Sequence, residues 1–251
     1  MTTVTSHKIV SDNDAFCAET GAYVSPRAHV VRATHLGQPV YFTVDNPDDV
    51  IQSEHVQGRF YEPEELDIMR RFFPVGGRFL DIGANVGNHS VYMAKFLHAS
   101  RIVLVEPNPD AIRLLESNIL LNGLGGVCDR SRLGYGLSDG VADSAFIRVG
   151  RNNLGGARVK EGQGDVPLAS GDQLLGDEVF DLIKIDVEGM EMKVLAGMAT
   201  YLARHPTPIF IEVDKVNYEA FEAWTVAQGY TKQARFQRYR ANTNFLIEPA
   251  A

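Results

Sequence analysis

Six carboxylates, Asp81, Glu106, Asp186, Glu188, Glu212 and Asp214, each stand at or just past the end of a short apolar run. A turn reading Gly83-Ala84-Asn85-Val86-Gly87 follows the first of them. Glycines at both ends of such a turn let backbone N–H groups approach a ligand, because no Cβ stands in the way. G-x-N-x-G is not the dinucleotide fingerprint G-x-G-x-x-G. The sign of the charge narrows the ligand further. A carboxylate at Asp81 beside the turn repels a pyrophosphate but attracts a ligand that carries an ammonium and a sulfonium. At about 4 Å one such charge pair is worth roughly 1 kcal/mol in water and about 4 kcal/mol near a protein surface. The expected ligand is S-adenosylmethionine rather than NAD.

Glu106 closes a second apolar run about 20 positions beyond the glycine turn, where nucleotide-binding α/β folds place an acid on ribose hydroxyls. Pro107 follows it. Ser138 and Asp139 come after a third apolar stretch, where a serine or an acid can meet an adenine amino group. Asp186 with Glu188, and Glu212 with Asp214, are spaced two apart and would share a strand face at the crevice where open α/β sheets bind ligands. Capping of the next helix is the structural alternative for Asp186 and Glu188. His89, in the first turn after the glycines, is either a base or substrate residue or a helix-surface histidine. Tyr61 and Glu62 enter the helix before the first core strand and can cap the pocket on its substrate side.

Elements that would position these residues follow from periodicity. Residues 79–90 read as strand, turn and helix, the first half of a βαβ unit, with Val91, Ala94 and Leu97 at helical spacing. Core strands are expected at 78–82, 102–106, within 127–137, at 181–187 and at 209–213. A helix starts at Pro63, another at Asn108-Pro109 with Asn108 as N-cap, and a third after Gly189. Residues 231–239 and 243–247 make a closing antiparallel pair. Residues 145–149 and 157–159 form an inserted hairpin around 152–156. Two short strands within 29–44, turning at Gly37-Gln38-Pro39, suggest a hairpin over an edge or mouth of the main sheet, behind a loose arm at 1–20. The segment up to about Glu62 then belongs to the acceptor pocket rather than the core. The fold class is α/β, doubly wound, with a mostly parallel seven-stranded sheet and an antiparallel C-terminal hairpin.

Composition excludes several classes. The 251 residues, 45% hydrophobic and 22% charged, suit one globular α/β unit. A net charge of −8 argues against nucleic acid, so Arg235, Arg238 and Arg240 read as a solvated hairpin. Apolar runs are strand-sized, giving no membrane span, and the polar N-terminus has no signal-peptide core. Cys17 and Cys128 have no metal or disulfide spacing, which fits a cytoplasmic location. Nothing in the sequence sets an oligomeric state.

With these residues laid out, the chain resembles the FkbM family of S-adenosylmethionine-dependent methyltransferases. The matching stretches are F-Y-E-P-E at 60–64, F-L-D-I-G-A-N-V-G-N-H-S at 79–90, V-E-P-N-P at 105–109 and D-L-I-K-I-D-V-E-G-M-E at 181–191. The resemblance covers roughly 40–248. It implies a class I methyltransferase (Rossmann-like) domain over 61–251, preceded by an arm and hairpin extension over 1–60. It also implies O-methyl transfer to a small-molecule or glycan acceptor. It places cofactor contacts on Asp81, Gly83, Asn85, Gly87, Glu106 and Asp186. An NAD-type oxidoreductase is disfavoured by Asp81 and by the lack of a Tyr-x-x-x-Lys pair, and a non-catalytic ligand-binding module is the other rival. The carboxylates at 186, 188, 212 and 214 suit either a divalent metal or a metal-free base. The metal-free route is expected, with Glu188 or His89 taking the proton and Asp186 orienting the methionine end.

Overall fold

A computed structural model describes residues 4–10, 28–140, 142, 144–150 and 152–250. Its centre is a seven-stranded sheet whose strands run, from one edge to the other, Tyr230–Phe236, Asn242–Pro249, Ile209–Asp214, Leu182–Ile185, Arg78–Ile82, Arg101–Glu106 and Cys128–Leu133. Strands β4 (Arg78–Ile82), β5 (Arg101–Glu106), β6 (Cys128–Leu133), β11 (Leu182–Ile185) and β12 (Ile209–Asp214) are parallel. The terminal pair β13 (Tyr230–Phe236) and β14 (Asn242–Pro249) adds antiparallel to β12. The chain enters at β4, runs outward to β6, and returns across β4 to β11. Strand order therefore reverses between β4 and β11, the place where open α/β sheets bind ligands.

Both sheet faces are covered, so the strands are almost continuously apolar. Leu80, Ile82, Ile183, Ile185 and Ile211 pack on Leu195, Met198 and Tyr201. Phe79, Leu104, Leu182 and Phe210 pack on Leu66, Met69, Met93 and Leu115. The helix Pro109–Leu121 starts as the sequence implies, with Asn108 Oδ1 accepting the Asp110 N–H at 3.1 Å. The helix expected after Gly189 is two helices, Glu191–Gly197 and Ala199–Arg204. At the join, a Cβ on Gly197 would lie 2.0 Å from the Ser138 carbonyl oxygen. The third strand ends at Leu133, before Gly134 in a left-handed turn, and Gly136–Leu137 pairs with Val166–Ala169 in a second, four-stranded sheet. The inserted hairpin lies in that sheet as β8 (Ser144–Gly150) and β9 (Asn153–Glu161). Residues 153–156 are strand rather than turn.

The N-terminal hairpin, His29–His35 and Gln38–Val44, is joined by the strand Val4–Val10. The rest of the arm at 1–20, Cys17 included, lies outside the described residues. The hairpin covers a helix rather than a sheet edge. Thr43 N–H donates to Asn118 Oδ1 at 2.6 Å, and Tyr41 N–H to Asn122 Oδ1 at 3.0 Å. Val31, Ala33, Val40 and Phe42 are buried in the same cluster as Phe79 and Met93, so this part of the N-terminal segment is core and only the stretch beyond it reaches the pocket. Among the described residues, no helix is long and apolar enough to cross a membrane.

Candidate active site

Asp81 and Lys184 are register partners on neighbouring parallel strands, so their side chains leave the same sheet face. Lys184 Nζ lies 3.3 Å from Asp81 Oδ1 and 3.4 Å from Asp186 Oδ2, and donates to the Gly83 carbonyl at 2.8 Å. Ser90 Oγ donates to the other Asp81 oxygen at 2.5 Å. Burial alone would lower the lysine, but Asp81, Asp186 and Glu62 outweigh it and hold the ammonium above the usual lysine range. Asp81 is fully buried and lines neither cavity at this end of the sheet. The carboxylate that the sequence assigns to a ligand is here paired with Lys184. That lysine, in the middle of an apolar strand in I-K-I-D, was the signal available in the sequence.

The turn after β4 depends on its glycines for two reasons. Gly83 has φ +79°, and a Cβ there would lie 1.8 Å from the Asp186 carbonyl oxygen. A Cβ on Gly87 would meet Leu115 Cδ1 at 2.5 Å, so Gly87 seats the helix Asn88–Phe96 and does not touch a ligand space. Glu106 accepts the Asn85 N–H on one oxygen and the Asn108 N–H on the other, both at 2.8 Å. Burial pushes it up to about 7 against those two donors.

Two cavities open at this end of the sheet. The smaller, about 50 Å³, is bounded by Glu106, Pro107, Leu137, Leu154 and Val159. The larger, about 430 Å³, is bounded by Tyr61, Glu62, His89, Lys184, Glu212 and Tyr239. They share Gly83, Asn85, Gly155, Asp186 and Glu188. Ser138 and Asp139 line neither: Ser138 is buried with its N–H on the Ala169 carbonyl, and Asp139 lies 3.8 Å from Lys193. Asp214 is also turned aside, pairing with Arg158 at 3.1 Å, because Glu191 accepts its N–H at 2.7 Å and fixes the end of β12.

β11 ends at Ile185, so strand alternation does not bring Asp186 and Glu188 together. Glu188 has φ +50°, and neither residue caps the next helix. Glu62 and Asn85, at φ +59° and +49°, are also left-handed non-glycine residues on the larger cavity. Such backbone costs on the order of 1–3 kcal/mol each and concentrates at functional sites. Burial and then Asp186 push Glu188 up to about 7, with Arg158 opposing. The same two causes raise Glu62 and Glu212 well above the carboxylate range. His89 is buried, with Nε2 3.5 Å from Glu62 Oε2; burial and then Lys184 hold it well below its ordinary value. Asp186, Glu188 and Glu212 each bring an oxygen within 4.8 Å of the others.

Strand β9 roofs both cavities and is docked by Asp49. One oxygen of Asp49 accepts from Ile51 and Gln52 N–H at 3.1 Å; the other accepts the Leu154 N–H at 2.7 Å. Arg238, read from the sequence as solvated, instead clamps Glu64 and Glu65 at 2.6 Å each. The carboxylate of Glu106 at the smaller cavity and the polar groups at the junction are the kind of groups that an adenosine carrying an amino-acid chain would need. At the junction, Asn85 Oδ1 is buried without a hydrogen bond, and Gly155 leaves open a space in which a Cβ would crowd Ile51 and Asn85.

Residues 81–238 match the sequence profile of the family described as "Methyltransferase FkbM domain". The hexuronic acid methyltransferase AglP of Haloferax volcanii is 28% identical over 211 residues, 78% of this chain and 77% of that protein. The AMB antimetabolite synthetase AmbE of Pseudomonas aeruginosa is 26% identical over 255 residues, 81% of this chain but 12% of that much longer protein. Among solved structures, the methyltransferase FkbM from Methylobacillus flagellatus superposes with a TM-score of 0.50 at 15% identity. That match covers 70% of this chain and 44% of that one, and marks a shared fold.

Proposed function

Because the chain belongs to the FkbM methyltransferase family, whose cofactor is S-adenosylmethionine, we propose that it methylates a hydroxyl oxygen of a sugar or other small hydroxylated acceptor. The observation that carries this is the meeting of the two cavities at Asp186 and Glu188. Glu106, Pro107 and Leu137 hold the adenosine side; Gly83, Asn85 and Asp186 hold the amino-acid end. The bound cofactor supplies an electrophilic methyl group. The chain supplies the rest. Glu188, poised at about 7, takes the acceptor's proton. Glu62, Glu212 and His89 orient the acceptor's other hydroxyls from the larger cavity. Positioning of this kind can contribute about 7–11 kcal/mol. A sugar acceptor agrees with the relative from Haloferax volcanii, described as a hexuronic acid methyltransferase.

The proton route is read as metal-free, since Lys184 already stands 3.4 Å from Asp186 as the cation of the carboxylate cluster. A cytoplasmic location accords with the free, buried Cys128 thiol, and the net charge of −8 favours an acceptor other than nucleic acid. Calorimetry and turnover test the whole reading. S-adenosylhomocysteine should bind and NAD should not, and Glu106→Ala should weaken binding by about 1.5–3 kcal/mol. Unchanged affinity in that variant, or activity lost to a chelator and restored by Mg²⁺, would overturn the corresponding part.

A further inference from the structure

The larger cavity has two rims. One carries Tyr61 and Glu62; the other carries Tyr239, Ala241 and Asn242. The second rim lies beyond residues 81–238, the stretch matched by the family profile, whereas Gly83, Asp186 and Glu188 at the junction lie inside it.

Tyr239 is the exposed aromatic on this cavity, 44% accessible in a segment without regular structure, yet it is held firmly. Its neighbour Arg238 is fixed to Glu64 and to Glu65, which is fully buried. Its own hydroxyl lies 2.8 Å from the Tyr61 hydroxyl across the mouth. Tyr61 in turn exchanges two backbone hydrogen bonds, each 2.9 Å, with the Asn88 side chain and packs among Ile51, Val86 and Leu114. A ring whose chain neighbour is fixed by ion pairs, with the hydroxyl contact only adding to this, is held at the mouth at little entropic cost. Behind it, the cavity offers Glu62, Glu212, Asn153 and Asn242 as hydrogen-bonding groups. An exposed tyrosine ring beside several carboxyl and amide groups matches a pyranose, whose C–H face is apolar and whose rim is hydroxyls.

We propose that Tyr239 is the platform on which a pyranose ring of the acceptor stacks, and so is a specificity-determining residue of this enzyme. The proposal rests on the methyl-transfer reading above and deepens it. The test combines initial rates with calorimetry of acceptor binding to the complex with S-adenosylhomocysteine. The acceptors are methyl glucoside, methyl galactoside and methyl glucuronoside, beside a phenol and an aliphatic alcohol. At least one glycoside is methylated. Tyr239→Ala raises its KM and its dissociation constant about tenfold, the worth of one well-placed ring contact. Its kcat stays within about twofold, and affinity for S-adenosylhomocysteine is unchanged. Tyr239→Phe restores most of the loss. An unchanged KM in Tyr239→Ala, or a Phe variant as weak as Ala, overturns the proposal. So does an equal loss of S-adenosylhomocysteine affinity. Transfer only to the phenol or the alcohol sinks the platform alone, whereas transfer to none sinks the platform and the methyl-transfer reading together.

Discussion

Burial, and beside it one buried cation, shapes the chemistry of single residues here. Lys184 appears among the forces acting on Glu62, His89, Glu106 and Glu212, and it bridges Asp81 to Asp186. Removing one partner of a buried ion pair leaves an uncompensated charge, which typically costs about 3–5 kcal/mol. Lys184→Met should lose about that much stability in denaturant melts, and the double variant with Asp81→Asn should recover a large part of it. Glu188 makes a second prediction. As a base it must be ionised, so kcat/KM of the wild type should rise with pH through about 7. Glu188→Gln should lose about 10²–10⁴-fold in rate, together with that rise. Stability moves the opposite way. The folded-state value lies above the ordinary 4.5, so the protonated carboxyl's contribution is complete below 4.5 and lost as pH rises through about 7. The melting temperature of Glu188→Gln should therefore gain on the wild type between pH 5 and 8.

At the scale of elements, Asp49 ties the roof over both cavities to the helix beside it. Asp49 caps the helix Val50–Val56 and also holds β9 through the Leu154 N–H. An N-cap alone is worth about 1 kcal/mol. Asp49→Ala should cost about 1–3 kcal/mol, since a buried N–H loses its partner as well. Because β9 lines both ligand spaces, the same variant should weaken S-adenosylhomocysteine binding and speed hydrogen exchange at residues 153–159. Unchanged exchange there would show that β9 is held by its other ties, the pairing with β8 and the ion pairs of Arg158 and Glu161. Glu191 and Arg238 act comparably, each tying a loop at the sheet's carboxyl end so that the cavity rims keep their shape.

For the whole molecule, the N-terminal hairpin and the sheet share one core. Deleting residues 1–39 would strip Val31 and Ala33 from the cluster and leave Val40 and Phe42 facing water. Burying such side chains is worth about 1.5–3 kcal/mol each, a large part of the 5–15 kcal/mol that typically stabilises a domain. The truncated chain should fail to give a cooperative melt. In the full chain, S-adenosylhomocysteine at about 100 times its dissociation constant should add about 2.7 kcal/mol, and NAD should add nothing.

The five parallel core strands, the helices starting at Pro63 and Pro109, the glycine turn and the standing of Glu106, Asp186 and Glu188 at or just past strand ends were legible in the sequence, whereas the helix Val50–Val56 and the strand Val166–Ala169 were not. Apolar periodicity, caps and the need for glycine at left-handed turns are local properties, carried by residues a few positions apart. What only the tertiary structure decided depends on partners far along the chain. Nothing local in the sequence shows that Lys184, on another strand, stands opposite Asp81. Asp214 is diverted by Arg158, and Arg238 is recruited by Glu64 and Glu65. Ser138 and Asp139 fall short of the cavity because Leu137, just before them, pairs into a second sheet. Charge at a site is set by every group within a few ångströms, and those neighbours are chosen by the fold rather than by spacing along the chain.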